Sequence, residues 1–71
     1  MLRIKDLRED RDLKQKDVAE ILNISQTNYS KYELGKINIP IKTLKSLAIF
    51  FDTSIDYMLG LTKEIKPYPR A

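Results

Sequence analysis

The 71-residue chain has no cysteine and no histidine, which excludes disulfide staples, the usual zinc-ligand patterns and histidine-centred catalysis. Thirteen Lys/Arg against ten Asp/Glu give a net charge of +3 and a pI near 9.3, a mildly basic balance that suits a polyanionic partner without requiring one. The longest apolar stretch, Leu47 to Phe51, is far too short to span a bilayer, and the first six residues mix both charge signs where a signal peptide needs an apolar core. A single small cytoplasmic domain without membrane contact is expected.

Both glycines and all three prolines stand at apparent boundaries, so the chain reads as helices separated by punctuation. Residues 2–12 place Ile4 and Leu7 on one face, with charge around the rest, and predict a first helix. Residues 15–22 repeat the pattern with Val18, Ala19 and Leu22. Asn23-Ile24-Ser25 then breaks it with a tight turn, and Ser25 is suited to accept a hydrogen bond from a first-turn amide as N-cap. A third helix is expected from Gln26 to about Leu34, with Gly35 at the left-handed position that follows. Pro40 fits the first turn of a fourth helix striped by Ile41, Leu44, Leu47, Ala48 and Phe51. Ser54 caps a short fifth helix through Leu59, and Gly60 ends it. Residues 1–61 thus form the folded domain, and residues 62–71, with Pro67 and Pro69, an extended tail. The predicted core is Ile4, Leu7, Val18, Ala19, Leu22, Tyr29, Tyr32, Leu44, Leu47, Ala48 and Phe51.

Charge is uneven along the chain. Residues 1–12 and 52–71 are balanced, whereas Lys42 and Lys45 have no acid between residues 37 and 51. In the third helix, Tyr29 and Tyr32 fall on one side at about 100° per residue, and Gln26, Thr27, Ser30, Lys31 and Leu34 fall on the other. That pattern alone equally fits a short amphipathic helix with a solvated polar face.

The ordered set "LKQKDVAEILNISQTNYSKYELGK" and "PIKTLKSLAIFFDTSIDYMLG" resembles the Cro and phage-repressor (XRE-like) helix-turn-helix family over roughly residues 2–61. The resemblance rests on Gln15 opening the second helix, Ala19 at its centre and Ser25-Gln26 opening the third. It rests also on the exit Glu33-x-Gly35-Lys36 and on Ser54-Ile55-Asp56-Tyr57-Met58-Leu59-Gly60. It implies an all-α, five-helix, lambda-repressor-like DNA-binding domain whose helix-turn-helix comprises helices 2 and 3. The implied partner is double-stranded DNA, bound by a transcriptional regulator, most often a repressor, acting as a homodimer on a (pseudo)palindromic operator.

Residue by residue, the resemblance assigns base contacts to Gln26, Thr27, Ser30 and Lys31. The chemistry agrees: an amide can pair with adenine N6 and N7, a threonine methyl can touch a thymine methyl, and lysine can reach guanine or a phosphate. Gln15, Asn28, Lys36, Asn38 and Lys42 are the expected contacts to the DNA backbone, Gln15 at a helix N-terminus that favours a phosphate. Arg8 and Glu33 correspond to a partly buried ion pair between the first and third helices, a role for which a bidentate arginine fork is suited. Ile55, Tyr57, Met58, Leu61, Ile65 and Tyr68 exceed what one small core needs and are the candidate dimer interface.

Three features depart from the family pattern. Lys14 stands where a Ser or Thr cap is common, which predicts a less firmly started second helix. Leu34 takes an outward, usually polar position, where it is available to the tail or a partner. The loop "INIPI", residues 37–41, is more apolar than the basic loop of many relatives and implies fewer phosphate contacts. The last two features also suit a protein-interaction module of the same fold, antitoxin-like or an anti-repressor partner. No catalytic constellation, cofactor, metal or small-molecule ligand is expected.

Overall fold

The computed structural model describes residues 2–69. Five helices follow in order: α1 Ile4–Asp10, α2 Gln15–Leu22, α3 Gln26–Glu33, α4 Ile41–Phe50 and α5 Ile55–Met58, with no strand among the described residues. This is the expected all-α architecture, and α2, its turn and α3 form the helix-turn-helix. None of these helices is long and apolar enough to cross a membrane.

The largest difference in boundaries is at α1, expected over residues 2–12. Helix α1 starts at Ile4, with Arg3 as its N-cap outside the helical conformation (φ −107°, ψ 10°), and the Arg3 amide donates to the Met58 carbonyl at the end of α5 (2.8 Å). At the other end Asp12 turns left-handed (φ 55°) and closes the helix.

All five helices end in one motif. The residues following the helical turns, Asp12, Asn23, Gly35, Asp52 and Gly60, have positive φ. In each case the next amide reaches back to a carbonyl five residues earlier: Leu13 to Arg8, Ile24 to Ala19, Lys36 to Lys31, Thr53 to Ala48 and Leu61 to Asp56. These Schellman-type closures satisfy carbonyls that a helix end otherwise leaves unpaired. The glycines at 35 and 60 adopt the conformation freely. The Asp and Asn residues adopt it because short polar side chains tolerate αL better than other types.

The closures aim each apolar stripe at a common core of Ile4, Leu7, Val18, Ala19, Tyr29, Tyr32, Leu47, Ala48, Phe51 and Met58. Ala19 retains 2% of its surface where α2 packs on α3, too little room for a larger side chain. Leu22 and Leu44, predicted as core, pack against this cluster but keep part of their surface in solvent. Met58 corrects a second expectation. It is fully buried within the domain and so cannot contribute to a dimer surface.

The tail is extended but not loose. Arg3 Nη1 donates to the carbonyls of Tyr57 (2.9 Å) and Thr62 (2.6 Å), and its guanidinium lies 4.4 Å from the centre of the Tyr57 ring. The buried Thr53 hydroxyl donates to the Ile65 carbonyl (2.5 Å), and the Tyr68 hydroxyl to Asp56 (2.9 Å). The described part of the tail is thereby strapped along the α4–α5 junction. Arg11 performs a similar service at the end of α4, donating to the Phe50 and Phe51 carbonyls at 3.0 Å while lying over both rings.

Candidate nucleic-acid interface

The position of α3 is set at its start by Ser25, whose hydroxyl accepts from the Asn28 amide at 3.1 Å, as expected of an N-cap. Along its inner face Tyr29 is fully buried and Tyr32 nearly so, which fixes the rotation of the helix about its axis. At its last turn Glu33 receives Arg8 through two parallel bonds, Nε to Oε2 at 2.6 Å and Nη2 to Oε1 at 3.1 Å. Arg8 also donates to the Leu13 carbonyl (2.8 Å), and the Gln15 amide donates to Glu33 Oε1 (3.1 Å). One carboxylate therefore ties α1, the entry to α2, and α3 together.

The side chains of this pair keep only 11% (Arg8) and 3% (Glu33) of their surface. Burial opposes the Glu33 charge most strongly. The Arg8 hydrogen bonds, with the neighbouring Tyr29 hydroxyl and the Gln15 amide, outweigh it and hold the carboxyl below the usual carboxylate range. The Glu33 hydrogen bonds raise Arg8 in turn, so the pair is ionised across the neutral range. Burial, reinforced by Glu33, pushes the Tyr29 hydroxyl well above the ordinary phenol value. That hydroxyl is buried without a well-formed hydrogen bond among the described residues.

The outer face of α3 has the opposite character. Gln26, Thr27, Lys31 and Leu34 are exposed and Ser30 is half-exposed. With Gln15 and Lys36 they line one shallow depression of about 430 Å³ that includes no acidic residue. The four predicted base-contacting residues are thus brought together, along with two of the five predicted backbone contacts. Asn28 is exposed outside this depression. Asn38 lines a separate, more apolar depression with Leu2, Tyr32 and Leu59, and Lys42 lies exposed in the first turn of α4.

The three departures have distinct outcomes. Lysine has no acceptor with which to cap α2, but the Asp17 carboxylate accepts from the Lys14 amide at 2.9 Å, and α2 starts at Gln15 as expected. Leu34 keeps 65% of its surface, and the tail is strapped elsewhere. In the loop, Ile37 and the following Ile41 are exposed, whereas Ile39 packs against the core.

Arg3 and Arg11, which staple the helix ends, went unrecognised in the sequence. Each pairs with residues roughly forty to sixty positions away, and no local pattern marks them.

A small all-α domain whose second and third helices meet at a tight turn, with one polar face left outward, is a helix-turn-helix protein. The helix-turn-helix family model matches residues 4–58, and the chain belongs to that family, in its Cro and phage-repressor (XRE-like) branch. It is 35% identical over 65 residues to the uncharacterized HTH-type transcriptional regulator YobD of Bacillus subtilis (strain 168), covering 92% of this chain and 58% of that protein. It is 38% identical over 58 residues to the HTH-type transcriptional regulator ImmR of the same organism (82% and 46% covered). With the cryptic phage CTXphi transcriptional repressor RstR of Vibrio cholerae it shares 36% over 53 residues (75% and 48% covered). The chain spans about half to three-fifths of the length of these relatives. No solved structure gives a significant match.

Proposed function

We propose that this chain is a sequence-specific, double-stranded DNA-binding transcriptional regulator, a repressor that acts in the cytoplasm as a homodimer on a (pseudo)palindromic operator. The observation that carries the reading is the outer face of α3, where Gln26, Thr27, Ser30 and Lys31 share one depression without an acidic residue. A helix presented this way can enter the major groove, where its first residues meet base edges. Gln26 pairs with adenine, the Thr27 methyl touches a thymine methyl, and Ser30 and Lys31 extend the readout along the helix.

Gln15, Asn28, Lys36, Asn38 and Lys42 hold the sugar-phosphate backbone and set the register. For Gln15 the geometry is favourable. One amide hydrogen is committed to Glu33, which orients the side chain and leaves the second for a phosphate oxygen.

One short recognition helix reads little sequence, and two of them about 34 Å apart reach successive major grooves on one face of the duplex. The candidate contact between copies is Ile55, Tyr57, Leu61, Ile65 and Tyr68, of which the last three are exposed. Sedimentation of the chain alone and on its site tests this, and a monomer under both conditions refutes it.

Selection of sites from a random duplex pool tests the whole reading. The expected product is a two-fold symmetric sequence with half-sites about 10 base pairs apart, bound with an affinity that falls steeply with salt. If no sequence is enriched and salt has no effect, the protein-interaction module becomes the better reading.

A further inference from the structure

We propose that Leu34 reads the 5-methyl group of a thymine in the operator and is a specificity-determining residue of the recognition face, an inference that rests on the DNA-binding reading of α3. Leu34 lies seven residues after Thr27, which on a helix returns it to within about 20° of the same line and about 10 Å further along the axis. It lines the same depression as Gln26, Thr27 and Lys31 and keeps 65% of its surface. The other side chains there are amides, hydroxyls and lysines.

The major groove admits an α-helix, and a helix lying in it presents this line to the base edges, Thr27 at its start and Leu34 about two turns on. A leucine offers neither donor nor acceptor. Of the groups displayed in that groove, the thymine C5-methyl is the apolar one. A protein partner fits less well, because Lys31 and Lys36 flank Leu34 with no acidic residue in the depression. Those charges favour a polyanion, and a leucine between them gains only if the polyanion presents an apolar group.

The test takes the site selected by the full chain and replaces each thymine in turn by deoxyuridine, which removes one methyl group and leaves base pairing intact. At one position the parent should lose about three- to fourfold in affinity, the amount expected for one buried methyl. Leu34→Asn should bind thymine and uracil at that position equally. Leu34→Met, still apolar, should keep the discrimination. A second sensitive thymine, read by Thr27, should remain sensitive in Leu34→Asn. Because Leu34 is exposed, its replacement should leave the melting temperature unchanged, so a binding change is not a folding change. If no thymine is methyl-sensitive, or Leu34→Asn is as sensitive as the parent everywhere, the inference fails while the DNA-binding reading stands. If no site can be selected at all, both fall together.

Discussion

The two faces of α3 differ in what determines them. The inner face is over-determined by the chain itself: Tyr29 and Tyr32 are buried, and Glu33 takes hydrogen bonds from two residues on two other elements. Among the described residues, the side chains of Gln26, Thr27 and Lys31 on the outer face make no hydrogen bond or ion pair. Interior positions answer to volume and pairing, so their substitution is felt as stability. Outer positions answer to something the domain does not contain, so their substitution should be felt only when that partner is present. The helix is anchored on one side so that the other can be held out rigidly.

The largest effect should come from unpairing the inner face. Arg8→Ala strands the Glu33 carboxylate in a site where its side chain keeps only 3% exposure, and a loss of about 3–5 kcal/mol is expected in chemical denaturation. Combining Arg8→Met with Glu33→Leu should recover most of that loss, since no charge then remains buried. The same carboxylate predicts the acid limb of stability. Its folded pKa lies below the ordinary value, so the contribution is present above the unfolded pKa and disappears as pH falls through the depressed folded one. Glu33→Gln should flatten that part of the melting-temperature profile.

Next in size is packing. Ala19→Leu forces three additional carbon atoms into the α2–α3 crossing and should destabilise by about 1–3 kcal/mol. It separates the two faces in a second way. If the recognition face depends on the rotation set by the inner contacts, DNA affinity should fall even in the fraction that remains folded, measured below the melting transition.

How much of this was legible in the sequence follows the same division. The α2–α3 unit was readable because its signals are local: a capping serine, a helical stripe, a glycine at the exit. The Arg8–Glu33 pair, 25 residues apart, was assigned only through the family resemblance. Met58 was misassigned to an interface because a four-residue helix is too short for periodicity to say which side faces inward. Asp12 and Asp52 escaped notice as helix-ending αL residues, since aspartate marks caps and turns of many kinds. The tail's backbone pins depend on Arg3 and Thr53, whose partners lie far along the chain or in a segment without periodicity.

On the outer face the effects are smaller and confined to binding. Gln26→Ala should leave stability unchanged and lose about 1–3 kcal/mol on the selected site, the range for a bidentate base contact, with little change on random DNA. Equal binding of parent and variant to every sequence would remove Gln26 from the recognition face and favour the protein-interaction reading.

Lys36→Ala should give the smallest change and a different kind of one. Lys36 sits just beyond α3, exposed, with its amide closing the helix on the Lys31 carbonyl at 2.9 Å. The backbone bond survives the substitution, so the fold should be indifferent to it. The ammonium is another matter. Near a phosphate it displaces a condensed counterion whatever the base sequence, so its loss should weaken selected and random DNA alike and lower the slope of log affinity against log salt by about one. Gln26 and Lys36 line the same depression, so proximity alone predicts no difference between them. The chemistry does: an amide discriminates base edges, and an ammonium counts phosphates. A Lys36→Ala protein that keeps the parental salt slope but changes its preferred sequence would move Lys36 from the backbone set into the base-reading set.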